Sequence, residues 1–241
     1  MYEQRFYRDW TRSNDLIGFQ VGVSETDLYI GAEHDLAAKA RQSIHKYRNQ
    51  LQDYIAMNPE FQTTLEPYPE NPAAPSIIRE MTAAAAVAGV GPFAAVAGAI
   101  AEQVGKDLLD YSSQIIIENG GDIFLKSSKK RTVGIYAGSS PLSNRLALEI
   151  EADETPLGIC TSSGTVGHSL SFGKADAVVI LSKSTAIADA VATAVGNLIQ
   201  TIADIQKGLN FAKKIKAVKG IAIIKNDRMG IWGKINIRRL D

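Results

Sequence analysis

The chain has 241 residues, enough for one large domain or two small ones with a substantial core. Apolar residues make up 45%, charged residues 22%, and the formal net charge is +0, so bulk charge gives no attraction to nucleic acid. The one cysteine, Cys160, excludes an internal disulfide and fits a reducing, cytoplasmic setting.

The opening stretch, MYEQRFYRDWTRSND, is charged and aromatic and lacks the apolar core of a signal peptide. Next, GFQVGVS places Phe19, Val21 and Val23 on one face, and DLYIGA follows a short polar break, which predicts a hairpin. Asp35 then suits a helix cap. Beyond it Ala37, Ala40, Ile44, Tyr47, Leu51 and Ile55 recur at helical spacing, predicting an amphipathic helix on a sheet. His34 and His45 fall at its solvated side. The segment from Asn58 to Ser76 holds five of the 8 prolines and reads as a loop.

Met81 to Ala101 is uncharged and long enough to raise the question of a membrane span. It is built from Ala and Gly and broken at Gly91-Pro92, so the expectation is a pair of packed helices with no span. A helix starting at Pro92 presents free amides among small residues. That suits close helix packing first, and a phosphate as the alternative.

QIIIENGGDIFL predicts a strand interrupted at Gly120-Gly121, with Glu118, Asn119 and Asp122 around the break. Close approach to a ligand and a plain turn or bulge both fit. RTVGIYAG, RLALEIE, PLGICTSSG and ADAVVILS predict four more strands, and a long helix is expected from about Ser184 to Lys207. Asp189 and Thr193, four apart, share a helix face. Their oxygens suit Mg²⁺; a dipole-favoured carboxylate and a backbone-bonded threonine fit as well. Thr161, Ser162, Ser163, Gly164 and His168 form a polar loop that matches neither a nucleophile elbow nor a Walker loop. The basic run from Phe211 to Gly220 reads as a helix end, and the C-terminal stretch as a hairpin turning at Asn226-Asp227. Grouped strands with helices between the groups predict an α+β fold with a mainly antiparallel sheet and packed helices.

Four of these stretches, in order, resemble the ApbE superfamily, whose members include FAD:protein FMN transferases. AAVAGAIAEQVG is similar to its G-G-I-A-K-G-Y-A segment, and IIIENGGDIFL to its strand ending I-G-G-D. CTSSGT resembles its T-S-G loop, and IADAVATAV its A-D-A-L-A-T-A-L helix. The resemblance implies a single domain over 1–241, T-fold-like and internally duplicated, as a compact branch of that superfamily. It implies Mg²⁺ on Asp189, Thr193 and the Ala97 carbonyl. It implies FAD against Gly91, Ala97, Gly98, Glu118, Asn119, Gly120, Gly121 and Asp122, with Thr161, Ser162, Ser163 and Gly164 by the phosphates. His168 and Asp122 are its catalytic candidates. Two departures stand out: H-I-I-D-P is replaced by GHSLSFG, and Gly98 stands where lysine would.

The expected activity is a Mg²⁺-dependent flavin transfer or FAD pyrophosphate cleavage, with an acceptor protein as partner. One alternative is a protein that binds flavin or another phosphorylated small molecule, without catalysis, for a metabolic partner. The other is a structural or interaction protein that has lost the site, and a homo-oligomer is compatible with all three.

Overall fold

A computed structural model of the protein describes residues 15–165 and 171–240. The first hairpin pairs β1 (Ile17–Val23) with β2 (Thr26–Ala32) around Ser24-Glu25. Helix α1 (Ala37–Met57) follows, and Asp35 accepts from the Ala37 amide at 2.9 Å. It buries Ala40, Ile44, Tyr47, Leu51 and Tyr54, in line with the predicted stripe. A single turn, α2 (Glu60–Thr63), interrupts the proline-rich loop and plants Phe61 in the core.

The Ala-rich segment forms α3 (Ser76–Ala88), a 3-10 turn at Pro92–Ala95, and α4 (Val96–Leu108). Gly89, in the left-handed region at φ 71°, ends α3, and its amide donates to the Ala85 carbonyl at 2.8 Å. The two helices are bent by 103°, and among the described residues no single helix is long and apolar enough to cross a membrane. Their apolar residues pack inside the core instead.

The remaining elements are β3 (Ile115–Asn119), β4 (Asp122–Lys126), β5 (Arg131–Gly134), β6 (Leu146–Ile150), β7 (Leu157–Ser162) and β8 (Ala177–Ser182), then α5 (Thr185–Leu198), α6 (Ile205–Lys213), β9 (Val218–Lys225), β10 (Arg228–Gly233) and β11 (Ile237–Arg239). Two expectations are corrected here. QIIIENGGDIFL is not one interrupted strand; Gly120 (φ 67°) and Gly121 (φ 104°) make a two-residue hairpin turn, with Asn119 paired to Asp122. The helix expected up to Lys207 stops at Leu198. The Lys174 amide takes the Ile199 carbonyl at 2.7 Å, and Thr201 with Asp204 forms a capping box ahead of α6.

An 8-stranded sheet runs β1-β2-β3-β4-β7-β8-β9-β10, and a 3-stranded sheet runs β11-β6-β5. All the strand pairs are antiparallel. β2 pairs with β3 across one helical insertion, and β8 with β9 across another. The order hairpin, helices, hairpin therefore occurs twice. Both faces of the large sheet are covered, and strand periodicity divides the side chains between them. Ile115, Ile117, Phe124, Val178, Ile180, Ile221 and Ile223 meet the helices. Ile116, Ile123, Leu125, Val179, Leu181, Ala222 and Ile224 meet the small sheet.

The helix layer lies close to the sheet because glycines admit it. A Cβ on Gly158 of β7 would stand 2.5 Å from the Thr185 Cα, a backbone atom that cannot swing aside. Gly158→Ala is therefore expected to lower stability by about 1–3 kcal/mol, the usual overpacking cost. Gly120 has nothing within 4 Å, so Gly120→Asn, which tolerates its conformation, is expected to change stability by less than about 0.5 kcal/mol. Urea denaturation checks both; equal effects would contradict the close approach of β7 and α5.

Candidate functional site

The site forms where the starts of α4 and α5, the β3–β4 turn and the end of β7 meet. Small residues make this possible. A Cβ on Gly98 would stand 2.6 Å from the Thr185 carbonyl oxygen and 2.8 Å from the Asp189 Cβ. Helix α4 thus touches α5 with no side chain between them. The Gly98 amide donates to Asp189 Oδ2 at 2.9 Å. The neighbouring Ala97 carbonyl accepts from Asn119 Nδ2 at 3.0 Å, tying the β3–β4 turn to the same helix start.

Within that turn Glu118 is 1% exposed and its Oε1 accepts from the Gly121 amide at 2.8 Å. Asp122 is buried and hydrogen-bonds to the Cys160 thiol and the Thr161 backbone. The Cys160 thiol also lies 3.3 Å from the Thr185 carbonyl. Ala97, Gly98, Glu118, Asn119, Gly121, Asp122, Thr161 and Asp189 are therefore brought into one neighbourhood. Gly120 lies exposed at the tip of the turn. Thr193 is half-buried, one helical turn beyond Asp189 on α5.

Further out, Ser162 lies against Gly196 of α5, where a Cβ would stand 3.3 Å from the serine oxygen. Ser163 accepts from the Thr165 amide at 3.1 Å, and the Gly164 amide donates to the Ala175 carbonyl at 2.9 Å. The Ser/Thr loop thus folds on itself at the end of β7. Gly91 is placed elsewhere: Thr64 of the proline-rich loop closes over it, and a Cβ there would collide with the Thr64 carbonyl. His168 lies outside the described residues.

Sequence reasoning missed two buried acids. Asp176, 4% exposed, stands beside the loop, with Thr165 Oγ1 at 3.4 Å and Lys225 Nζ at 3.9 Å. Glu102, 5% exposed, accepts from the Thr185 amide at 2.6 Å. The sequence gives no hint of these contacts, because Thr185 lies on a distant helix from Glu102 and Lys225 on a distant strand from Asp176.

The electrostatics of the site are those of crowded acids. Burial pushes Asp122 well above the ordinary carboxylate range, and the Asp189 and Glu118 charges push the same way. Burial pushes Asp189 up to about 7, against the pull of the Gly98 and Ala97 amides. Burial, followed by the Asp122 and Asp189 charges, also raises the Cys160 thiol, which makes it a poor nucleophile at neutral pH. Two buried acids this close titrate as a pair.

This charge pattern suits a cation. Among the described residues no group of three or more His, Cys, Asp and Glu side chains is arranged to hold a metal. The donors available are the Asp189 carboxylate, the Ala97 carbonyl and the Thr193 hydroxyl. Mg²⁺ is commonly held by one or two carboxylates, with waters and substrate phosphates completing its shell. The residues present therefore fit the ion. A separate cavity of about 400 Å³, lined in part by Glu149, Glu151, Glu154 and Lys234, opens at the small sheet and shares none of these residues.

A family model described as "AbpE bacteria" matches residues 8–224. The chain belongs to that family. It is 42% identical over 226 residues to a UPF0280 protein of Methanococcus aeolicus, covering 91% of each chain. It is 44% identical over 219 residues to one of Methanocaldococcus jannaschii, covering 88% of this chain and 89% of the relative. Among solved structures it is similar to the flavin transferase ApbE from Vibrio cholerae, with TM-score 0.61, 11% identity and 90% and 96% of the two chains covered. The flavinyl transferase ApbE of Pseudomonas stutzeri matches with TM-score 0.55, 14% identity and coverage of 91% and 94%. At such identities the likeness establishes the ApbE fold, which is the α+β architecture expected. For this member of the family the acids of the site are a matter of its own chemistry.

A stability test follows from the raised Asp189. Its folded value of about 7 lies above the ordinary 3.8, so between those values the folded chain holds protons that the unfolded chain has lost. Stability is then fullest below about 4 and falls as pH rises through about 7. In metal-free protein, wild-type stability is expected to drop between about pH 5 and pH 8, and Asp189→Asn to drop less. Urea midpoints at the two pH values check this; parallel changes in both proteins would contradict it.

Proposed function

We propose that the protein is a Mg²⁺-dependent flavin-handling enzyme that binds FAD at the junction of α4, α5, the β3–β4 turn and the end of β7. The observation that carries this reading is the buried Asp122 and the partly buried Asp189, crowded with Glu118 beside backbone groups that belong to two helix starts. Such a concentration of acid calls for a cation. A cation at this junction calls in turn for an anionic ligand, for which a pyrophosphate is well matched.

Asp189, Thr193 and the Ala97 carbonyl would hold the ion. When bound, Mg²⁺ supplies electrostatic stabilisation of charge on the pyrophosphate during its cleavage. The chain's own groups do the rest. Asn119 holds the Ala97 carbonyl in place. Glu118 fixes the turn through the Gly121 amide, and the turn presents its backbone to the ligand. Thr161, Ser162 and Ser163 bring hydroxyls to the end of β7. Asp122, whose carboxyl burial pushes well above the ordinary range, is the candidate to exchange a proton. The reaction is displacement at the pyrophosphate: an acceptor hydroxyl takes FMN, AMP leaves, and the hydroxyl proton passes to a base of the site.

A second reading, FAD binding without turnover, is favoured by Gly98. It stands where a lysine would, and its contact with Thr185 and Asp189 leaves no room for a side chain. FAD, Mg²⁺ and a hydroxyl-bearing acceptor separate the two. The first reading predicts AMP release and covalent flavin on the acceptor, lost by about 100-fold or more in Asp189→Ala, as for removal of an electrostatic group of a site. FAD that raises the melting temperature without AMP release supports the second. Neither AMP release nor a melting shift would overturn both.

A further inference from the structure

Glu102 and Asp189 make a reciprocal pair. Asp189, from α5, accepts from the Gly98 amide at the start of α4. Glu102, from α4, accepts at the start of α5: from the Thr185 amide at 2.6 Å, and from the Ala186 amide and the Ser184 hydroxyl at 3.3 Å each. Gly98 and Glu102 are four apart on α4, and Thr185 and Asp189 are four apart on α5. The two contacts are therefore successive rungs between one pair of helix faces. Each helix start, with its unpaired amides, is closed by a carboxylate of the other.

The Glu102 rung is itself braced. Its second oxygen pairs with Lys106 at 2.9 Å, and Lys106 reaches Glu80 of α3 at 3.3 Å. Helix α5 also carries a cap of its own, since the Ser184 hydroxyl accepts from the Ile187 amide at 3.3 Å. Glu102 is thus more than the usual cap of a helix end. It fastens α5 to α4 one turn away from the place where Asp189 meets Ala97 and Gly98.

We propose that Glu102 is a positioning residue for the cation site: by holding the Thr185 and Ala186 amides it sets the register of α5 on α4, and so places Asp189 against the Ala97 carbonyl. The inference rests on the cation reading given above. Groups that orient metal ligands typically affect metal affinity by about 10–100-fold when replaced. Glu102 is 5% exposed, and its hydrogen bonds go to the α5 start and to Lys106.

Mn²⁺ serves as the probe, with free ion measured by electron paramagnetic resonance in the full chain without flavin. Glu102→Gln keeps the shape and one acceptor oxygen but loses the charge. It is expected to weaken Mn²⁺ binding by about tenfold or more. Ser184→Ala weakens the same helix start and removes one of the long contacts to Glu102, but keeps the Thr185 and Ala186 amides on it. It is expected to lower the melting temperature of the metal-free protein yet leave Mn²⁺ affinity within about twofold, since an N-cap acts locally on its helix. If Glu102→Gln and Ser184→Ala weaken Mn²⁺ binding equally, Glu102 acts only through stability and the inference is overturned. Unchanged Mn²⁺ affinity in Glu102→Gln, with wild type binding normally, overturns it while sparing the cation reading. A wild-type chain that binds no Mn²⁺ overturns both.

Discussion

The whole site depends on how closely α4 approaches α5. Gly98 lies on the Thr185 carbonyl and the Asp189 Cβ, with no space for even a methyl group. That contact lets a carboxylate of one helix reach the first amides of the other. It also sets Ala97 beside Asn119 and so draws the β3–β4 turn to the helices. Gly158 repeats the arrangement from below, where β7 passes under Thr185. The Ala-rich composition of α3, α4 and α5 is the sequence-level cause. Bulkier helices would stand apart, and the acids would face solvent instead of each other.

Close packing has an electrostatic consequence. Glu118, Asp122 and Asp189 share one neighbourhood, where burial raises Asp122 and Asp189 and the Asp189 and Glu118 charges raise Asp122 further. Cys160 feels the same field and stays a thiol. Glu102, by contrast, is compensated by three donors of the α5 start and by Lys106. Glu102 is thus balanced by donors around it, whereas Asp122 sits among other acids.

Much of this was legible in the sequence. The alternation of Phe19, Val21 and Val23, and the stripe through Ile44, Tyr47 and Leu51, follow from burial on one face, and burial is what periodicity reports. Asp189, Asn119, Asp122 and Gly98 stood out because their spacing resembles that of a known superfamily. Other features were out of reach. Glu102 reaches the α5 start, and Asp176 reaches Thr165 and Lys225, across more than ten residues of chain, and local pattern carries no trace of such partners. Gly91 looked like an open helix start, but Thr64 covers it from a loop whose path proline content alone does not set. The break after Leu198 was written in Thr201 and Asp204, a helix-start pattern hidden inside a run of helix formers.

The central claim is that Asp189 and the Ala97 carbonyl hold a cation beside a flavin dinucleotide. The most direct measurement is a crystal structure of the chain with FAD and Mn²⁺, with the ion located by its anomalous scattering. The account predicts a peak about 2.1–2.2 Å from an Asp189 oxygen, in reach of the Ala97 carbonyl and of the FAD pyrophosphate, close to the distances of hard-oxygen coordination. FAD bound elsewhere, or bound here with no ion at Asp189, would contradict it.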